Sequence, residues 1–409
     1  MSKRVKLLST AMSAAILTCA ATYADDTTEI LNGQVNLGAD IQVTAETSVA
    51  QASSAMMTAI GMANALTVDV TSPHDVDNTQ TFSGSVAGRA TTDAQIIDGA
   101  AITTSTMFGN SAVVIVDNGM DVTSQQNALD GSSVRSTAEL AVSDYAMTSV
   151  TTAGASANAW ESTAYAGDAN LDLRQDSGAE VTADAYALAP TGGLGWSSTT
   201  VAAANGNSAM VTGYDAASQV VDVDQTNRGN VTGLVRVNAG GGGEMTNATA
   251  SANGNNVRIE NQEAYAHLQG QQTNDGVVLA DAEIIVGNFD VDVMTTASEG
   301  VGNSAILSNI GSNSYMGLDQ TNNANVTARA NFDGDAGGVS FLSSTAFGNA
   351  ATSYICSECP VTATGEMNQV NNATISSVVT GQMATGGMIT GTATAIGNSS
   401  TYQTVNPRY

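Results

Sequence analysis

Thr392–Ser400 reads Thr-Ala-Thr-Ala-Ile-Gly-Asn-Ser-Ser, and versions of it recur along the whole chain. Gly348-Asn349-Ala350, Gly302-Asn303-Ser304, Gly254-Asn255-Asn256, Gly206-Asn207-Ser208 and Gly109-Asn110-Ser111 are clear copies, and Gly154 and Gly61 head looser ones. From Gly61 to Gly397 these glycines step by about 48 residues, a fixed period of the size that marks stacked supersecondary units. Each such unit buries its face on the next. The length of the chain then sets the number of units rather than the number of domains, because a solenoid grows in one dimension.

A second mark has the same period. Gln34, Gln80, Gln126, Gln175, Gln225, Gln272, Gln320 and Gln369 also step by about 48 residues. The fullest copies are Gln225-Thr-Asn-Arg-Gly-Asn230-Val-Thr and Gln320-Thr-Asn-Asn-Ala-Asn325-Val-Thr. A third mark consists of glycine clusters at Gly192-Gly193, Gly240–Gly243, Gly337-Gly338 and Gly386-Gly387, which follow Gln175, Gln225, Gln320 and Gln369. Glycine at these points is read as chain reversal through positive φ.

Between the marks, apolar and polar residues alternate. Val221 and Val223 interleave with Asp222 and Asp224, Val235 and Val237 flank Arg236, and Phe289, Val291 and Val293 interleave with Asp290 and Asp292. Period two is the pattern of a strand with one buried face. No helical periodicity is sustained beyond Ala24. The expected fold is therefore all-β: a right-handed parallel β-solenoid of about eight repeats of ~48 residues. The repeat fits either two coils or one wide coil. Equivalent positions lie about 4.8 Å apart along such a stack, where amide side chains form ladders. Gln34, Gln80, Gln126, Gln175, Gln225, Gln272, Gln320 and Gln369, with Asn110, Asn207, Asn255, Asn303, Asn349 and Asn398, are the expected ladder residues.

The segment 1–24 reads as an export signal: Lys3, Arg4 and Lys6, a small apolar run over 7–21, and a cleavage position at Ala24 before Asp25-Asp26. The run is shorter than the roughly 20 residues a membrane span needs. Ile16-Leu17-Thr18-Cys19 has the outline of a lipidation box, with an atypical Thr before the Cys. The repetitive domain covers 25–409. Of the 11 basic residues, the eight beyond the signal are all Arg, against 38 acids, which gives −30. That balance excludes nucleic acid as a partner. It suits a cation or a partly cationic polymer. Cys356 and Cys359, as Cys-Ser-Glu-Cys, read as a disulfide pinning one loop of an exported chain.

Catalytic constellations are sparse. His74 and His267 lie outside the repeated marks, and the Gly240–Gly243 run lacks the Lys of a phosphate loop. A polysaccharide-cleaving β-helix enzyme is the competing reading, weakened by the absence of Lys beyond Lys6. No cofactor is implied. Asp222/Asp224, Asp290/Asp292 and Asp333/Asp335 are paired oxygen donors that would suit structural calcium.

The Gln…Asn and Gly-Asn-Ser marks resemble the repeats of curli-like bacterial surface fibre proteins, with about twice their period. The chain as a whole is similar to the holdfast anchor proteins of stalked alphaproteobacteria. That resemblance implies export through a curli-type outer-membrane secretion lipoprotein. It also implies display at the cell surface and, with sister holdfast anchor proteins, the tethering of an adhesive polysaccharide. Self-association into amyloid-like fibres is the second reading of the same repeats.

Overall fold

The computed structural model describes residues 28–71, 74–215, 217–289, 293–357 and 361–405. It is an all-β, parallel solenoid, with no helix among the described residues. Fifteen strands join into one sheet, and every pairing is parallel between residues 45 to 50 apart. That separation is one sequence repeat, so each repeat makes one wide coil, eight in all. The two-coil alternative is excluded, because strands half a repeat apart do not pair.

The sixth coil shows the plan. A Gln strand, Ala266–Asn274, is followed by a Val strand, Val278–Phe289, and a long Gly-Asn strand, Val293–Ile310. The Gly-Asn strand lies across the coil from the other two. Its first half faces the Val strand and its second half faces the Gln strand. Alternation holds within each half and breaks at Gly-Asn, where, in the preceding coil, both Gly254 and Asn255 point inward. Two successive inward residues reset the parity of the strand, and because every coil does so at the same place the register between coils is unbroken.

Each coil therefore encloses two apolar cores. The first joins Val231, Val235 and Val237 to Ala248, Ala250 and Ala252. The second joins Val221 and Val223 to Val257 and Ile259. Alanine is abundant because the two layers approach closely, leaving room for one large and one small side chain across the gap.

The glycine clusters do not reverse the chain through positive φ. Among the described residues the positive-φ glycines are Gly38, Gly84, Gly119, Gly131, Gly167, Gly270 and Gly311, all outside the clusters. The clusters instead allow backbones of successive coils to touch: a Cβ on Gly192 would sit 2.1 Å from the Asp144 carbonyl oxygen, and one on Gly387 2.8 Å from that of Gly338.

Candidate functional site

Between the two cores runs a wall of buried amides. The Gln ladder is continuous through all eight coils. Gln80 Nε2 donates to Gln34 Oε1, Gln126 to Gln80, Gln175 to Gln126, Gln225 to Gln175, Gln272 to Gln225, Gln320 to Gln272 and Gln369 to Gln320, at 2.7–3.2 Å. The second hydrogen of each amide goes to a carbonyl across the coil, such as Asn256 for Gln225 and Ser304 for Gln272.

The Asn ladder runs the opposite way. Asn64 Nδ2 donates to Asn110 Oδ1, and the chain continues through Asn158, Asn207, Asn255, Asn303 and Asn349 to Asn398 at 2.7–2.8 Å. Its second hydrogen also meets a backbone carbonyl, Thr226 for Asn207 and Thr321 for Asn303. Only an NH2 can face a carbonyl, so these contacts fix the rotation of every amide and with it the polarity of each ladder. The two rows of dipoles are antiparallel and partly cancel.

Asn64 and Asn158 belong to the ladder, although Gly61 and Gly154 suggested another register. Gly61 pairs with Met107 and Gly154 with Thr106, while Asn64 and Asn158 both pair with Asn110. The motif glycine is replaced by Ala63 and Ala157. The structure adds a third ladder: Asn227 donates to Asn274, Asn274 to Asn322 and Asn322 to Asn371, each at 2.8 Å. Asn230 and Asn325 are turn residues, whose side chains accept backbone N–H groups of Val277 and Thr374 in the following coils. Cys356 ends the Gly-Asn strand of the seventh coil, and Cys359 lies outside the described residues, as do residues 1–24 with Cys19.

With almost all of their amide groups bonded, Asn227 Oδ1 being an exception, the ladders are scaffold. What the solenoid offers a partner is its outward residues, and these differ by face. On the Gln strands they include Asp75, Asp77, Asp121, Asp172, Asp222, Asp224, Asp319 and Glu366. The one Arg among them is Arg174, hydrogen-bonded to Asp172, an interaction that raises the guanidinium further above its ordinary range. A shallow depression on this face is lined by Asp172, Arg174, Asp222, Asp224, Gln271 and Asp319.

On the Val strands four acids are answered across coils. Arg89 pairs with Glu139 at 2.6 Å, Arg135 with Asp184 at 2.7 Å, and Arg236 with both Asp281 at 2.9 Å and Glu283 at 3.0 Å. The outward residues of the first half of the Gly-Asn strands include many that are small and neutral, for example Thr199, Thr249, Ser251, Thr295 and Ser343.

Aromatic rings line one border of the acidic face. Tyr165 stacks on Tyr214 with centroids 5.7 Å apart, and His267 lies 4.7 Å from Tyr315 and 6.0 Å from Tyr265. The hydrogen-bond partners of His267 are Tyr265 and Gln269. The calcium expectation meets no focus here: among the described residues no three His, Cys, Asp or Glu side chains converge, and Asp290 and Asp292 lie outside them.

Across this repeat array, the holdfast attachment protein D (HfaD) family model matches residues 47–326, more than two thirds of the chain. The chain belongs to the HfaD family. No curated protein and no solved structure is matched. The matched span runs from the first coil to the opening residue of the Val strand in the seventh, so it covers most of the stacked ladders and most of the acidic face. Family membership carries a role in holdfast attachment and a location at the cell surface or envelope. Among the described residues no helix is long and apolar enough to cross a membrane.

Proposed function

We propose that this HfaD-family protein is a non-enzymatic anchor that holds an adhesive polysaccharide to the cell envelope, and that the outward face of its Gln strands is the polymer-binding surface. The observation that supports this reading is the charge difference between faces. On the Val strands Glu139, Asp184, Asp281 and Glu283 are each paired with an arginine, whereas the Gln-strand acids stand in a row with a single Arg among them. A polymer laid along the stack meets one coil about every 4.8 Å, close to the rise of one sugar residue. Many weak contacts along that row sum to firm attachment without any one strong site.

The acids suit a partly deacetylated, cationic amino-sugar polymer, and the Tyr165, Tyr214, Tyr265 and Tyr315 border offers faces on which sugar rings and ammonium groups stack. Export through a curli-type lipoprotein and cooperation with sister holdfast anchor proteins belong to the same proposal.

The test is binding to soluble partly deacetylated poly-N-acetylglucosamine. Affinity should fall at least about tenfold between about 50 and 500 mM salt, as screening of exposed charges requires. The triple change Asp222→Asn, Asp224→Asn and Asp319→Asn should weaken it at low salt, and Arg236→Ala should not. Binding indifferent to both salt and the triple change would reject this face. In cells, retention of the adhesive after deletion of the gene would reject the anchor role itself.

A further inference from the structure

The first and last described coils, 28–70 and 363–405, are complementary, and we propose that the last of these coils in one molecule stacks, in register, on the first in a second copy to form a head-to-tail filament.

The argument begins with ladder polarity. At the first coil, Gln34 has given one amide hydrogen to the Ala65 carbonyl, and its other hydrogen points off the end. Among the described residues Asn64 Oδ1 meets no donor, and Asn36 Oδ1 is a buried acceptor without a partner. At the last coil the unmet groups are the opposite ones. Gln369 donates to Gln320 and Ser399 and leaves its own Oε1 open. Asn398 lacks the next Asn to donate to and turns a hydrogen back to the Gln369 carbonyl. Asn371 has given one hydrogen to the Ala373 carbonyl and holds the other free.

Continuing the repeat register places Gln369 beside Gln34, Asn371 beside Asn36 and Asn398 beside Asn64 of the second copy. Gln34 Nε2 then donates to Gln369 Oε1, Asn371 to Asn36 and Asn398 to Asn64, each with the polarity used inside the molecule. The acceptor that Asn398 has lost corresponds to the Val35 carbonyl, as Val370 serves Asn349. Two first coils would set donor against donor at Gln34 and acceptor against acceptor at Asn36 and Asn64, and two last coils the reverse, so the joint is heterologous and does not close on itself.

The cores agree. Ile41, Val43, Ala45 and Val49 leave one end of the first core half-open, and Ile375, Val379 and Met383 leave the other; Ile30 and Met367 do the same for the second. In the continued register Ile375 meets Ile41 and Met383 meets Val49. The charges also agree. In residues 363–405 the only charged residue is Glu366, and it falls beside Leu31, while Glu29, Asp40 and Glu46 fall beside Thr364, Thr374 and Thr380. Exposed edge strands are ordinarily blunted by Lys or Pro. Residues 28–70 and 363–405 contain neither.

Val35 and Val370 are both exposed and would be one strand spacing apart at the joint, within the Cα separation a disulfide spans. The experiment uses the whole chain carrying Cys19→Ser, Cys356→Ser and Cys359→Ser. Val35→Cys and Val370→Cys are made in separate chains, mixed and oxidised. The expected product is the mixed Cys-Cys dimer, with neither chain linking to itself. The chain carrying both changes should give a ladder of multiples of 41.2 kDa. Linkage of either chain to itself in place of the mixed product would overturn the head-to-tail register. Sedimentation of the unsubstituted chain as a monomer over a hundredfold concentration range would overturn the filament. Melting temperatures matching the parent exclude misfolding as the cause of either result.

Discussion

Gln225 and Gln34 occupy the same register of the same ladder, yet one is completely satisfied and the other is not. Gln225 donates to Gln175 and to the Asn256 carbonyl and accepts from Gln272, all at 2.7–2.9 Å. Gln34 accepts from Gln80 and donates once, at the open end. The difference teaches that an amide ladder derives its strength from having a neighbour on each side. A buried amide that loses a partner is costly, while a terminal one shares its unmet group with water.

The comparison can be broken most directly at the ladder. Gln225→Leu strands Gln175 Oε1, one hydrogen of Gln272 and the Asn256 carbonyl. It should cost about 4 kcal/mol in urea denaturation, against less than about 1 kcal/mol for Gln369→Leu in the last coil. Equal losses would mean that the ladder is dispensable.

The cores give the next largest contrast. Leu268→Ala, fully buried in the sixth coil, should cost about 3 kcal/mol; Met367→Ala, half-buried in the last, about 1 kcal/mol. Glycine at the Gly-Asn parity reset comes third. A Cβ on Gly254 would lie 2.3 Å from Asn274 Oδ1 and 2.6 Å from the Gly302 carbonyl, whereas one on Gly397 has nothing nearer than 3.5 Å. Gly254→Ala should cost about 2 kcal/mol by overpacking and Gly397→Ala close to nothing, read as a shift in melting temperature. The smallest effect belongs to the outward pairs. Arg236→Ala frees the largely buried Asp281 and should cost about 1 kcal/mol, while Arg258→Ala, from an exposed pair with Glu260, should leave melting unchanged.

Much of this architecture was legible in the chain. The Gln positions could be read because the same residue recurs at the same step, and a ladder requires identical neighbours. Asn64 and Asn158 were missed because the reading followed glycine, which the first and third coils replace with Ala63 and Ala157. Following the asparagine would have found them, since the next ladder Gln trails each ladder Asn at nearly constant spacing, as Gln80 trails Asn64 and Gln175 trails Asn158. The Asn227 ladder was present in the sequence as Gln-Thr-Asn, but nothing local separates a buried Asn227 from a turn residue such as Asn230. The acidic face was legible only as total charge. Which acids meet an Arg depends on partners such as Asp281 for Arg236, one coil along.

The sequence by itself determined the period, the inward and outward alternation, and the residues that lie above one another along the stack. These follow from identity between neighbours, which a one-dimensional repeat displays directly. The tertiary structure alone decided that one repeat closes one coil, that two cores flank an amide wall, and that the two ladders point in opposite directions. Those features depend on which carbonyl faces each amide across the coil. That choice is made between strands whose sequences differ, so no periodicity records it.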